Sequence, residues 1–275
     1  MQIATCLTCY DIILHYGFEG IDVPEERPVL ERKFQFIINQ DPRKLWKNLP
    51  VDWESMPEPK YQNEDSQVDY IKVEALADGT PQKDIVAASQ RGRSHAQEGK
   101  PRDDHFKMYH DDSTNWYVMA VADGAGSAKM SRQGSTIACN TVVEHCKNEL
   151  ANSEAFEQHI NSWHLNQRSS DSGKLISDDI YRIVGNAALK AHKAIVEEAK
   201  ATGIPVKAFA TTLLLAICKK FEFGWFIASF WVGDGAMCLY DKDNHTATLL
   251  GVPDEGEYAG QTRFLTMPEI FSDST

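Results

Sequence analysis

The alternation of hydrophobic and polar positions changes rhythm several times along this chain. Asn115 to Asp123 (NWYVMAVAD) is a nearly unbroken apolar run with glycine and serine just after it, the pattern of a strand buried on both faces. Upstream, DIVAAS (from Asp84) and HFKMY (His105 to Tyr109) predict two further strands. From Ser131 the spacing becomes helical, with Ile137, Ala138, Val142, Cys146 and Leu150 on one side and Ser131 placed as N-cap. Ile176 to Gly203 predicts one long amphipathic helix, capped by Ser177 with two acids behind it and closed by Gly203. Ala208 to Val252 returns to strands, three or four of them, with turns at KKFEFG, GDG and DKDN. Strands, then two helices, then strands is an α+β order, unlike the alternation of a doubly wound sheet.

Residues 1–83 differ from the rest. Proline, acidic and amide residues dominate from Pro50 to Gln82, which predicts an extended arm or linker with little core of its own. Leu30 to Asn39 is a short ordered candidate whose aromatic residues could dock on the main domain, and KLWKNLP could do the same. The compact domain is placed at 84–275. A net charge of −12 repels phosphate backbones and argues against nucleic acid as a partner. Cys6 and Cys9 form a lone C-x-x-C without the second pair a zinc ribbon needs. Cys139, Cys146, Cys218 and Cys238 fall in segments read as core, a reduced, intracellular pattern. Asp11 interrupts the apolar stretch near the start, and no run approaches the ~20 apolar residues of a membrane helix. A cytoplasmic protein without membrane contact is expected.

The segment VADGAGSAKMSRQGS (Val121 to Ser135) poses the chemical question. As a dinucleotide loop, G-x-G-x-x-G, it fails at Lys129, and Asp123 would repel a pyrophosphate. The Walker pattern fails too, since six residues separate Gly92 from Gly99 and Pro101 stands where Ser or Thr is required. A strand ending in Asp-Gly instead presents a carboxylate at a sheet edge, and glycine lets its own carbonyl approach an ion. Mg²⁺ and Mn²⁺ take such oxygen donors. Asp103 and Asp104 stand just before a strand, and Asp234 sits in a Gly-Asp-Gly turn. Taken singly, these also read as a common turn, a solvated acidic loop and an ordinary hairpin.

Together and in this order, SHAQEGKPRDD, VADGAGS and VGDG, with FATTLLLAI and GEYAGQTRFLT around the last, resemble the metal-dependent Ser/Thr protein phosphatases of the type 2C (PPM) class, bacterial branch. The resemblance covers about Asp84 to Thr266. It implies a central antiparallel β-sandwich flanked by helices, a four-layer αββα arrangement, with two Mn²⁺ or Mg²⁺ ions at one end. Asp123 then bridges the ions and the Gly124 carbonyl binds one. Asp103 and Asp104 support a metal, and Asp234 serves a further, weaker ion. The implied reaction is hydrolysis of phosphoserine and phosphothreonine by a metal-activated water. His105 is a candidate proton donor to the leaving alkoxide, and equally an ordinary strand residue. The family's phosphate-holding arginine is missing at its usual spacing, so Arg93 and His95 are the candidates. A phosphoprotein is the implied substrate and a cognate Ser/Thr kinase a candidate partner.

The resemblance also implies two late aspartates that are absent here. Asp-Gly pairs occur at Asp78, Asp123 and Asp234, and Asp273 lacks the following glycine. A C-terminally incomplete phosphatase domain with weak metal binding is expected, the alternative being a catalytically inactive phosphatase-like binding or regulatory protein.

Overall fold

A computed structural model describes residues 48–56, 62–166, 169–251 and 262–271. Leu30 to Asn39, Cys6 and Cys9 lie outside the described residues. In chain order the elements are β1 (Ser66–Ile71), β2 (Ile85–Gln90), α1 (Arg93–Glu98), β3 (His105–His110), β4 (Tyr117–Ala122), α2 (Ser131–Leu150), α3 (Glu154–Leu165), α4 (Ser170–Ile180), a π turn (Tyr181–Gly185), α5 (Asn186–Thr202), a 3₁₀ turn (Val206–Phe209), β5 (Leu213–Phe221), β6 (Gly224–Val232), β7 (Met237–Asp241), β8 (Thr246–Gly251) and a last 3₁₀ turn (Pro268–Phe271).

The chain divides into two compact units, Met1–Val51 with Arg93–Lys100, and Asp52–Gly92 with Pro101–Thr275. In the described part of the first, the Leu49 N–H donates to the Ala96 carbonyl of α1 at 2.8 Å, and Gly99 turns the chain with φ +69.

The second unit is built on a four-stranded antiparallel sheet, β3-β4-β5-β6. Period-two alternation sorts its side chains onto two faces. Val118, Ala120 and Ala122 of β4, Leu213, Leu215 and Ile217 of β5, and Phe226, Ala228 and Val232 of β6 face a helical layer. There α2 offers Ala138, Cys139, Val142, Val143 and Cys146, and α5 offers Ala187, Ala188, Ala191 and Ile195. Small residues on α5 let it lie close to α2. Trp116 stacks on Phe156 of α3 at 5.3 Å and meets Phe226 edge-on. On the other face, Tyr117, Met119, Cys218, Trp225 and Ile227 pack with Val73 and Ile85, so the small antiparallel sheet β1-β2 forms a second β layer. β7 and β8 pair as a third small sheet. Antiparallel sheets covered by helices make the α+β fold that was expected. Among the described residues the helical layer lies on one face of the large sheet.

Several local expectations are corrected. β1 lies within the stretch whose composition predicted an extended arm. Its pairing with β2 and the contacts of Ile71 and Val73 supply order that composition hides. Ser131 is the first residue inside α2, not its cap; Met130 holds that position and no side chain caps the turn. Ser177 is interior to α4, because Ile176 and Ser172 are buried and carry the helix back to Ser170. The predicted long helix is interrupted by the π turn, where the Arg182 carbonyl lies 3.2 Å from the buried His145 ring nitrogen. Gly203 does close α5, in a left-handed conformation. α3 was not predicted, although Phe156, Ile160 and Trp163 follow helical spacing. Cys139, Cys146 and Cys218 are buried free thiols as read, and burial pushes Cys146 and Cys218 up to about 12. Cys238 is exposed instead, on β7.

Candidate active site

Register brings the chemistry to one edge. His105 pairs with Ala122, Val121 with Leu214, and Leu213 with Val232. The residues just outside those strand ends are therefore neighbours across the sheet. They are Asp104 before β3, Asp123 after β4, Thr212 before β5, and Gly233 and Asp234 after β6. Antiparallel pairing alone collects residues more than a hundred positions apart in sequence.

Asp123 is fixed through its backbone. Its N–H donates to Thr212 Oγ1 at 2.9 Å. Its carbonyl accepts from the Thr212 N–H at 2.9 Å and from Thr211 Oγ1 at 3.0 Å. The loop stays zipped to the same segment, with Ala125 N–H donating to the Ala210 carbonyl and Met130 N–H to the Ala208 carbonyl. Gly124 is wedged in place, because a Cβ there would lie 2.7 Å from the Asp103 carbonyl oxygen and 2.9 Å from Ser131 Cβ. Ser135 of α2 donates its hydroxyl to that Asp103 carbonyl at 2.5 Å. Arg102, only 3% exposed, donates to the Asp104 carbonyl at 2.9 Å and to Gln67 Oε1 at 3.0 Å. Arg102 thus ties the backbone of the acid pair to Gln67 of β1.

The Gly-Asp-Gly turn is not an ordinary hairpin, since β6 and β7 belong to different sheets. Gly233 has φ +110, and a Cβ there would meet Thr212 Cγ2 at 2.5 Å. Thr212 accordingly joins the two acid-bearing turns, bonding Asp123 with its hydroxyl and packing on Gly233 with its methyl. Sequence alone assigns neither threonine of FATTLLLAI a role; two consecutive threonines just before an apolar strand are the faint signal it holds. Thr212→Val keeps the shape and removes the acceptor of a backbone N–H. It is expected to cost about 1–3 kcal/mol, measured by denaturant unfolding.

The electrostatics agree with the geometry. Burial first, then a side-chain hydrogen bond with Asp104 and the charges of Asp104, Asp234 and Asp103, raise the Asp123 carboxyl to about 7. The carboxylates therefore sense one another. Asp123 is nonetheless exposed at the mouth, so solvent screens part of this repulsion. Hard oxygen donors that repel one another fit a divalent cation. Asp123, Asp104, Asp103 and Asp234, with the Gly124 carbonyl, are the residues that could hold one. The set is open: among the described residues no three His, Cys, Asp or Glu side chains are gathered tightly enough to enclose an ion by themselves. Electrostatic coupling extends further than direct ligation, which reconciles the two observations.

His105 lies on the strand face turned toward α2, with Lys107, whose Nζ donates to Asn140 of α2 at 2.9 Å. Burial, with Arg102 and Lys107 nearby, pushes its imidazole down to about 4. At neutral pH it carries no acidic imidazolium proton to give. Arg93 and His95 lie on α1, in the smaller unit, where the His95 carbonyl accepts the Lys100 N–H at 2.9 Å. Among the described residues no helix is long and apolar enough to cross a membrane.

Comparison with known proteins places this arrangement. The sequence profile described as protein phosphatase 2C matches residues 91–274. Serine/threonine-protein phosphatase 3 of Escherichia coli (strain K12) is 26% identical over 191 residues, 68% of this chain and 64% of the relative. The chain therefore spans just under two thirds of that relative's length. A profile match over most of the chain, with its acid motifs at one sheet edge, establishes that this chain belongs to the protein phosphatase 2C family.

Proposed function

We propose that this protein is a metal-dependent phosphoprotein phosphatase that hydrolyses phosphoserine and phosphothreonine esters. The observation that carries the reading is the collection of Asp104, Asp123 and Asp234 at one sheet edge, close enough to raise the Asp123 carboxyl. The name of the Escherichia coli relative supports the choice of serine and threonine esters.

Mn²⁺ or Mg²⁺, when bound, supplies charge neutralisation at the phosphoryl oxygens and lowers the pKa of a nucleophilic water. The chain's own part is positional. Asp123 presents its carboxylate at a height set by three bonds to the Thr211–Thr212 segment. Arg102 and Ser135 hold the backbone of the acid pair. Without a cation the same carboxylates repel a phosphate dianion, so substrate binding depends on the metal. With His105 neutral, solvent supplies the proton to the leaving alkoxide. The substrate is a cytoplasmic phosphoprotein, and a cognate Ser/Thr kinase is the natural source of its phosphoryl group.

The open donor set favours a second reading, a phosphatase-like binding protein without turnover. Phosphate release from a phosphothreonine peptide separates the two. The phosphatase reading expects release with Mn²⁺ or Mg²⁺ and none with EDTA. Peptide binding with no release under any metal contradicts it and supports the binding protein.

A further inference from the structure

A buried cation beside the acid cluster has no role in holding metal. Arg132, in the first turn of α2, is 4% exposed, and its Nε has no hydrogen-bond partner. Its Nη2 donates to the Gln133 side-chain carbonyl at 3.1 Å, and the guanidinium lies 5.0 Å from the centre of the Trp53 ring. A ring beside a guanidinium takes up none of its N–H groups as a hydrogen-bond acceptor would, and the Nε–H remains to meet one.

The helix face carrying Arg132 is identified by its other members. Ser135 and Cys139, three and seven residues on, donate to the carbonyls of Asp103 and His105. That face runs along the acid-pair segment, and Arg132 is its member nearest the sheet edge. Helical side chains lean toward the N-terminus, which directs Arg132 past Asp103, whose charge acts on it. Residue 131 touches Gly124, so α2 begins against the Asp-Gly turn. The first turn of a helix leaves backbone N–H groups without intrahelical acceptors; in α2 those of Met130 and Ser131 donate to the Ala208 and Ala128 carbonyls, which leaves the N–H groups of Arg132 and Gln133. In α2 no side chain caps that turn, and it contains no acidic residue.

We propose that Arg132 and the first turn of α2 form the phosphoryl-binding subsite of this site, the part sought in sequence at Arg93 and His95. This rests on the phosphatase reading and adds a residue to it. The planar fork meets two phosphoryl oxygens in a way a point charge cannot, and the positive helix end adds to it. Gln133 and Trp53 hold the fork in place.

The test is calorimetric titration of inorganic phosphate into the full chain at saturating Mg²⁺, with Mg²⁺ affinity measured separately. Arg132→Met is expected to weaken phosphate binding about tenfold or more while leaving Mg²⁺ affinity within about twofold, with Arg132→Lys intermediate. Unchanged phosphate affinity in Arg132→Met overturns the proposal. So does an equal loss of Mg²⁺ affinity, which would make Arg132 a counter-ion of Asp103. If near-ultraviolet circular dichroism shows Arg132→Met unfolded, Arg132→Lys decides, with about threefold weakening expected and no change overturning the idea. Wild-type protein that binds no phosphate also overturns it. The two readings fail separately. Turnover with an indifferent Arg132→Met sinks the subsite alone, and Arg132-dependent phosphate binding without turnover sinks the phosphatase alone.

Discussion

Asp123→Asn is expected to reduce metal-dependent phosphopeptide hydrolysis roughly a thousandfold, while making the metal-free protein slightly more stable at neutral and higher pH. Both effects come from one carboxylate. In the folded chain its pKa is raised from 3.8 to about 7 by burial and by Asp104, Asp234 and Asp103. The native state therefore binds more protons than the unfolded state between about pH 4 and 7, and stability falls as pH rises through that window. Below it both states are protonated and the penalty vanishes. Asparagine cannot ionise, so in EDTA the variant should lose this slope and gain about 1 kcal/mol above pH 7, a modest figure because Asp123 is exposed and partly screened. Urea unfolding of both proteins at several pH values checks the sign. A variant less stable than wild type at pH 8 in EDTA would show that the carboxylate stabilises the fold rather than straining it.

Gly134→Ala should be among the most damaging single changes. Gly134 lies in α2 where the helix crosses the 3₁₀ turn Val206–Phe209, and an added Cβ would fall inside the contact radius of the Phe209 carbonyl oxygen. That oxygen is backbone and cannot swing away. The Phe209 ring is fully buried, and the following residues, Ala210 to Thr212, hold the Asp123 loop. Relief requires α2 to lift from the turn. A loss of about 3 kcal/mol or more is expected, outweighing any helix-propensity gain of about 1 kcal/mol from Gly to Ala. Thermal unfolding measures it. A change under about 1 kcal/mol would mean the helix and turn adjust freely, and the zipped loop would not be the rigid support assigned to it.

Much of this was legible in the chain itself. The apolar run before Asp123 had to be a buried strand, and an Asp-Gly pair at its end had to face the sheet edge. The three acid motifs could be recognised because each sits at a strand boundary, where side-chain identity and backbone turn coincide. Less visible was what depends on pairing. Thr212 looks like any β-branched strand residue until register sets it beside Asp123. β1 was hidden because its apolar Val68 and Tyr70 face solvent while polar Gln67, bonded to Arg102, takes an alternate position, and acidic and amide residues surround the strand. Arg132 sits in a helix pattern where a charged residue normally faces water, and only packing against Trp53 shows otherwise. His105 drew attention through its neighbours in sequence; alternation along β3 turns it toward α2, where burial with Arg102 and Lys107 nearby lowers its imidazole pKa, an effect sequence alone does not show.

The most direct test of the central claim, that the carboxylates at this sheet edge form a divalent metal site, is calorimetric Mn²⁺ binding to wild type and to Asp123→Asn. Saturable binding by the wild type, weakened about tenfold or more in the variant, is the predicted result. Equal affinity in both proteins, or no binding by the wild type, would contradict it.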